Sequence, residues 1–441
     1  MTREEKPDLS ALLRQVEVDL RKLDISTTMT PTGVNKPPLV RRRGRSVGAA
    51  DKKAVMRVIR QPDGMLVWHA GPVGRSINTG RRRRASSSPP APRGQVVEMY
   101  EYELLSRNKI NELISKADKV LTGEQLGLLR LAPTGTNFVP VDAVETSSPR
   151  LLIVHGTFSN TEKMLTGADV AFLNWARQKY GGRVYAFNHP TLSVSPMINA
   201  FDLWRAFHDV TGDLDIVAHS RGGLVVRWFL EALGPSKLVN VRVVLVGSPL
   251  GGTSLAAPRQ LGGALSAIGS FASAVSQGAE VVASVATPWL AVPAFMVQIA
   301  SSVVGKTAEV ISNAPILDAV ISMVPGLAAQ ARINGNAEIS RLHGLPDRAN
   351  LKYFGVVSNF EPTDAGWKFW KRLRLSSIGD AAADAVFPEN NDMVVDTGSM
   401  SELGRTRLMS DLHDFGTNPN VHHLNYFVQP KTTQRIQSWL A

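Results

Sequence analysis

The 441-residue chain has no cysteine. Disulfides, thiol nucleophiles and cysteine-ligated zinc or iron–sulfur clusters are therefore excluded, and the composition suits a reducing cytoplasm. An apolar leader is lacking too: the first ten residues, MTREEKPDLS, hold no hydrophobic h-region, so no signal peptide is expected. Charge is almost missing from residues 260–331, where only Glu280, Lys306, Glu309 and Asp318 interrupt a background of Gly, Ala, Ser and Val. Acidic charge is scarce over residues 1–97, which carry 20 Lys and Arg against 8 Asp and Glu. The remainder carries 29 against 30, so the net charge of +11 belongs to the first fifth of the chain.

With 44% hydrophobic and 20% charged residues, the chain can bury a substantial core. Its length suits two or three domains, or one large α/β domain with additions. Residues 26–50 and 71–95 are rich in Arg, Ser, Pro and Gly, with clusters at Arg41–Arg43 and Arg81–Arg84. Segments of this kind bury too little apolar surface to offset the cost of ordering, and read as linkers. Between them, AVMRVIRQPDGMLVWHA reads as two strands around a Pro62-Asp63-Gly64 turn; Leu9, Leu12, Leu13, Val16, Leu20 and Leu23 have helical spacing. The basic clusters suit an anionic membrane surface. No nucleic-acid-binding motif accompanies them, and no nucleic-acid partner is expected.

From Gln95 the pattern is that of a folded domain. QVVEMYEYELL alternates as a strand does, and NKINELISKADKVL has helical periodicity. Strands are expected over 150–156, 183–190, 214–220 and 241–249, with helices over 169–180 and 223–233. Continuously apolar strands alternating with helices imply a parallel sheet covered on both faces. The alternation stops after Pro249 and resumes at LKYFGVVSN, residues 351–359. The intervening residues read as an insertion.

The motif [Gly/Ala]-x-Ser-x-Gly occurs around Ser46 (GRSVG), Ser220 (AHSRG) and Ser276 (AVSQG). An activated serine requires an exposed Oγ, a base within reach, a group orienting that base, and N–H donors for the oxyanion. A sharp strand–Ser–helix turn meets the first requirement, and the flanking small residues allow it. Ser46 follows three arginines without a strand, and Ser276 lies within the Gly/Ala/Ser-rich insertion. Only Ser220 has a strand before it, LDIVAH, and an amphipathic helix after it.

LLIVHGTFSN followed by DIVAHSRGG resembles the α/β-hydrolase superfamily, in its bacterial lipase/esterase branch and the related GPI-inositol-deacylase-like proteins. The resemblance implies an α/β-hydrolase fold, a mostly parallel sheet with helices on both faces. It implies oxyanion-hole N–H groups from Thr157, with Phe158 as alternative, and from Arg221. It gives His155 a place in a turn with no part in proton transfer. VGSPLGGTS resembles the strand and turn after the nucleophile helix, and no chemistry is assigned to it.

The other catalytic partners should follow in the order Ser, acid, His. The resemblance places the His in a loop before the last helix, and NVHHLNYF fits with His423; His422 is the alternative. NNDMVVDTG resembles the segment carrying the acid, which makes Asp392 the candidate although Met393 stands where the family has Gly. Asp396, then Asp364 and Asp384, are the alternatives. A metal site at the His pair is disfavoured, because adjacent side chains converge poorly and no third ligand has suitable spacing.

Insertions at this place in the superfamily form caps, and residues 260–331 suit an apolar lid. Val281–Gly305 is 25 residues without charge, long enough to cross a bilayer, but Pro288 and Pro293 would break such a helix. The expected organisation is a basic extension (1–95), the first part of the core (96–255), a helical cap (256–345) and the second part of the core (346–441). The expected activity is hydrolysis of carboxylic esters of apolar acyl groups through an acyl-enzyme on Ser220, with no metal or organic cofactor. An acyltransferase with the same triad, or a non-catalytic membrane-binding module, are the rival readings. The expected location is cytoplasmic, with association at an anionic membrane surface through the basic segment or the cap.

Overall fold

Apolar runs four or five residues long can be buried on both sides only in the middle of a covered sheet, and the large sheet is built from them. The computed structural model describes residues 29–31, 53–60, 66–72, 95–103, 107–123, 125–254, 324–332, 336–361, 390–404 and 407–441. Ser46, Ser276, the 8–24 helix, the arginine clusters, Asp364, Asp384 and most of the expected cap lie outside the described residues.

The chain divides into two units. The first contains an antiparallel sheet of β1 (Met29–Pro31), β2 (Lys53–Arg60), β3 (Leu66–Pro72) and β4 (Gln95–Glu103), in the order β1-β4-β2-β3. The expected hairpin is there, with Arg60 opposite Leu66 and Ala54 opposite Pro72. β4, whose residues the sequence assigns to the start of the core, pairs with β2 and β1 in this small sheet instead. Helix α1 (Arg107–Thr122) follows, and its residues from Ala117 belong to the second unit.

The second unit carries an eight-stranded sheet. Its strands are β5 (Gly127–Leu131), β6 (Phe138–Pro140), β7 (Arg150–Val154), β8 (Val184–Asn188), β9 (Gly212–His219), β10 (Leu238–Val246), β11 (Leu351–Phe360) and β12 (Asp411–Asn418). The order is β12-β11-β10-β9-β7-β8-β5-β6. The six strands from β12 to β8 are parallel, and β5 and β6 close the other edge antiparallel. This is the α/β-hydrolase fold that the resemblance implies. The order reverses around β7, whose neighbours β8 and β9 both follow it in the chain; crevices at the carboxyl ends of strands beside such a reversal are where α/β proteins bind ligands.

Alternate strand residues face opposite layers. Leu152, Val154, Ile216, Ala218, Val243 and Leu245 pack toward α4 (Pro196–Phe207) and α5 (Gly222–Arg227). Leu151, Ile153, Val217, Val244 and Val246 pack toward α3 (Val170–Lys179) and the C-terminal helix α8 (Pro430–Trp439). Between α3 and the strands before it lies the short helix α2 (Thr161–Leu165); the insertion returns through α6 (Pro325–Ala328) and α7 (Ala337–His343). Helix α5 continues as a π-helical segment, Trp228–Leu233, and stops at Gly234 in left-handed backbone. Among the described residues, no helix is long and apolar enough to cross a membrane.

Candidate active site

Strand β9 delivers Ser220 into a left-handed conformation, φ 54°, that is unusual for a residue with a side chain. Such a backbone costs on the order of 1–3 kcal/mol and persists only where its surroundings enforce it. Here Ser220 N–H donates to Val246 O on the neighbouring strand (2.9 Å), and Ser220 O accepts from Gly223 N–H (3.0 Å). The two glycines of the sequence motifs make room for the turn. A Cβ on Gly156 would sit 2.5 Å from Ser220 Cβ, and one on Gly222 would sit 2.5 Å from Val154 O. The turn after β7 and the turn after β9 therefore touch through bare backbone.

His423 lies in the loop between β12 and α8, 203 positions after Ser220, and its Nε2 stands 2.9 Å from Ser220 Oγ. Its Nδ1 stands 2.8 Å from Asp392 Oδ2. Asp392 is fully buried, and its Oδ1 accepts from the backbone N–H groups of Val394 (3.1 Å) and Val395 (2.8 Å). Oδ2 accepts a further bond from Tyr426 Oη (3.0 Å). Burial, reinforced by Asp392, pushes the Tyr426 phenol far above its ordinary value and keeps it a neutral donor. A carboxylate facing Nδ1 fixes the tautomer: Nδ1 carries the proton, and Nε2 presents a lone pair to the Ser220 hydroxyl. The His423 N–H also donates to Asp392 O (2.9 Å), so backbone and side chain join the two loops.

Met393 stands where the family pattern has glycine, and it adopts φ 90°, the backbone a glycine would take most readily. The Asn391 side chain accepts its N–H (2.9 Å) and holds the bend.

The alternatives are engaged elsewhere. Asp396 accepts from Ser254 N–H (2.9 Å) and lies 3.7 Å from Arg332. His422 is buried edge-on against Phe360, and desolvation lowers its imidazole to about 3.

Thr157 follows Gly156, which packs against Ser220, and Arg221 follows Ser220 in the chain. Neither backbone N–H has an acceptor among the described residues. Phe158, in left-handed backbone at φ 57°, donates its N–H to Thr191 Oγ1 (3.3 Å) instead. The Arg221 guanidinium is fully buried, and Nη2 donates to Val194 O (2.6 Å) and Asn199 Oδ1 (2.7 Å) at the start of α4. Burial lowers its pKa to about 10, so the group remains a cation at neutral pH. His155 sits in the turn as read from sequence: Nδ1–H donates to Gly156 O (2.9 Å), and Nε2 accepts from His189 N–H (3.0 Å). Burial lowers it to about 3, a neutral imidazole stacked 4.1 Å from the His189 ring.

Two residues at the site escape sequence reasoning. His219 is the variable position of the AHSRG motif, yet its ring lies 4.8 Å from that of His423 and its Nε2 donates to His423 O (3.1 Å). Asp118 on α1 accepts from the N–H groups of Thr191 (2.7 Å), Leu192 (2.8 Å) and Ser193 (2.6 Å), fixing the loop that receives Phe158. No local signal marks either one, because each acts on a residue more than 70 positions away.

Solved structures resemble the chain at low identity. A mature lipase of Bacillus licheniformis is 14% identical over 68% of this chain and 95% of its own, with a TM-score of 0.35. Lipase 1 of Pelosinus fermentans is 12% identical over 66% and 96%, TM-score 0.38. An esterase of Rhodococcus sp. ECU1013 is 15% identical over 67% and 93%, TM-score 0.34. No curated protein matches the chain. Residues 121–441 match the model of a family described as a domain of unknown function, DUF7379, and to that family the chain belongs.

Proposed function

We propose that the protein is a serine ester hydrolase acting through Ser220, His423 and Asp392. The observation that carries the reading is the unbroken chain of contacts from Ser220 Oγ to His423 Nε2 (2.9 Å) and from His423 Nδ1 to Asp392 Oδ2 (2.8 Å). Ser220 Oγ attacks the ester carbonyl while His423 Nε2 takes its proton. Asp392 keeps Nδ1 protonated and stabilises the imidazolium. The N–H groups of Thr157 and Arg221 receive the oxyanion, and the N-terminal end of α5 adds its positive dipole. Collapse breaks the bond to the alcohol, which leaves with the proton from His423, and the acyl group stays on Ser220. Water, deprotonated by His423, then releases the carboxylic acid and restores the serine.

The charge-poor stretch at 260–331 supports an apolar acyl group, and the basic first 97 residues support contact with an anionic lipid surface. Hydrolysis of p-nitrophenyl esters from acetyl to palmitoyl tests the substrate class. Rates should rise with acyl length and vanish in Ser220→Ala; a preference for acetyl contradicts the apolar-acyl assignment and leaves a short-chain esterase.

A further inference from the structure

We infer that Gln330 is a positioning residue for the Thr157 oxyanion donor, an inference that rests on the serine-hydrolase reading above. Gln330 lies at the C-terminal end of the charge-poor stretch, 173 positions from Thr157, and is 4% exposed. Its Nε2 donates to Gly326 O (3.0 Å) and to Thr157 Oγ1 (3.0 Å), and its Oε1 lies 3.3 Å from the same hydroxyl. The bond to a carbonyl fixes which end of the amide is nitrogen.

The segment that carries Gln330 is fastened on two sides. Gln330 O accepts from Thr253 N–H (2.8 Å), Arg332 N–H donates to Thr253 O (2.9 Å), and Gly326 N–H donates to Leu192 O (3.0 Å). The amide thus projects from a fixed backbone, held between the turn after β10 and the loop after β8.

Thr157 needs such an anchor. It stands between Gly156, which has no side chain to pack, and Phe158, whose left-handed backbone turns the chain away. Its side-chain hydrogen bonds run to Gln330 alone among the described residues. Phe158 is fixed separately, through Thr191 and the Asp118 carboxylate. An oxyanion donor stabilises the transition state only if it is held in place before charge develops. The Gln330 amide supplies that hold on the Thr157 peptide, so the exit of the insertion takes part in setting the reaction rate.

The full-length protein with p-nitrophenyl butyrate gives the test. Gln330→Met keeps the side-chain length and removes both hydrogen bonds; Thr157→Val removes the hydroxyl and Thr157→Ser keeps it. Gln330→Met and Thr157→Val should each lower kcat about tenfold, the worth of one neutral hydrogen bond at its upper end. KM should stay within about twofold, because the interaction matters in the transition state. The double variant should be no slower than the poorer single one, the mark of two residues acting through one contact. Thr157→Ser, which keeps the hydroxyl, should recover most of the loss seen in Thr157→Val. Penalties that multiply to about a hundredfold in the double variant overturn the inference, since Gln330 would then serve only its own segment. An unchanged kcat in Thr157→Val overturns it as well, and that arm stands even if Gln330→Met does not fold. Failure of the serine-hydrolase reading looks different: folded wild type would neither hydrolyse the ester nor react with a fluorophosphonate, and the inference would fall with it.

Discussion

Asp392 and Asp396 lie four positions apart on one loop, in different surroundings. Asp392 has one oxygen tied to two backbone N–H groups and the other shared by His423 and Tyr426. Asp396 serves Ser254 and Arg332. Asp392→Asn removes the acceptor that keeps Nδ1 protonated and favours the wrong tautomer, and should lower kcat by about 10³- to 10⁴-fold. Asp396→Asn should leave kcat within about twofold, as expected of a residue outside the reacting group. Steady-state kinetics of the two purified variants decide it, and the reverse ranking would make Asp396 the acid. Much of the site was legible in the sequence because its parts have local signatures. Ser220 needs a strand, two small residues and a helix, all within LDIVAHSRGGLVVRW. Asp392 was readable despite Met393, since the Asn391 side chain enforces the bend that glycine would otherwise permit. His219 and Gln330 were not readable: their partners lie 204 and 173 positions away, and only the sheet brings them together.

At the scale of elements, the parallel strands were legible because burial on both faces demands unbroken apolar runs, as in RLLIV and VYAFN. Helix α4 was hidden for the opposite reason. Its exposed side mixes Met197, Ile198 and Phe201 with Asp202 and Arg205 while its buried side carries Ala200, Leu203 and Phe207, so no continuous polar face marks the helical period. β12 was hidden because DLHDFGTN, an edge strand, is largely exposed and has no apolar run. The helix behind Ser220 also contains an element no periodicity announces, a buried ionic cluster. Arg227 donates to both oxygens of Glu231 (2.9 and 3.1 Å) and to Leu403 O (2.8 Å). Tyr353 Oη donates to Glu231 Oε1 (2.8 Å), and Arg407 reaches Oε2 (2.5 Å). Glu231 is the only carboxylate facing two arginines there among the described residues. Its removal leaves buried positive charge uncompensated, so Glu231→Gln should cost about 3–5 kcal/mol of stability. Urea unfolding measures that loss, and kcat per folded molecule should hold because the cluster does not touch Ser220.

The whole molecule carries a pH dependence set by its buried histidines. His155 and His422 are each lowered by burial from the ordinary value of 6.5 to about 3, and burial lowers His189 and His219 in the same direction. Below 6.5 the unfolded chain gains protons that the folded chain refuses. Stability from these groups is therefore complete above 6.5 and falls as pH drops toward 3. Each such histidine removes about 1.4 kcal/mol per pH unit in that window, so His155 and His422 together remove about 2.8 kcal/mol per pH unit. Urea denaturation at pH 7.5, 6.0 and 5.0 should show the midpoint falling steeply over the last two; an unchanged midpoint would mean these rings are protonated in the folded protein.

The account stands on one hydroxyl. Wild-type protein, its Ser220→Ala variant and its Ser46→Ala and Ser276→Ala variants should be treated with a fluorophosphonate and analysed by intact mass and peptide mapping. Wild type and both control variants should gain one phosphonyl group on the peptide containing Ser220, and Ser220→Ala should gain none. Folded wild type that stays unlabelled, or a label that survives in Ser220→Ala, would contradict the assignment of Ser220 as the nucleophile.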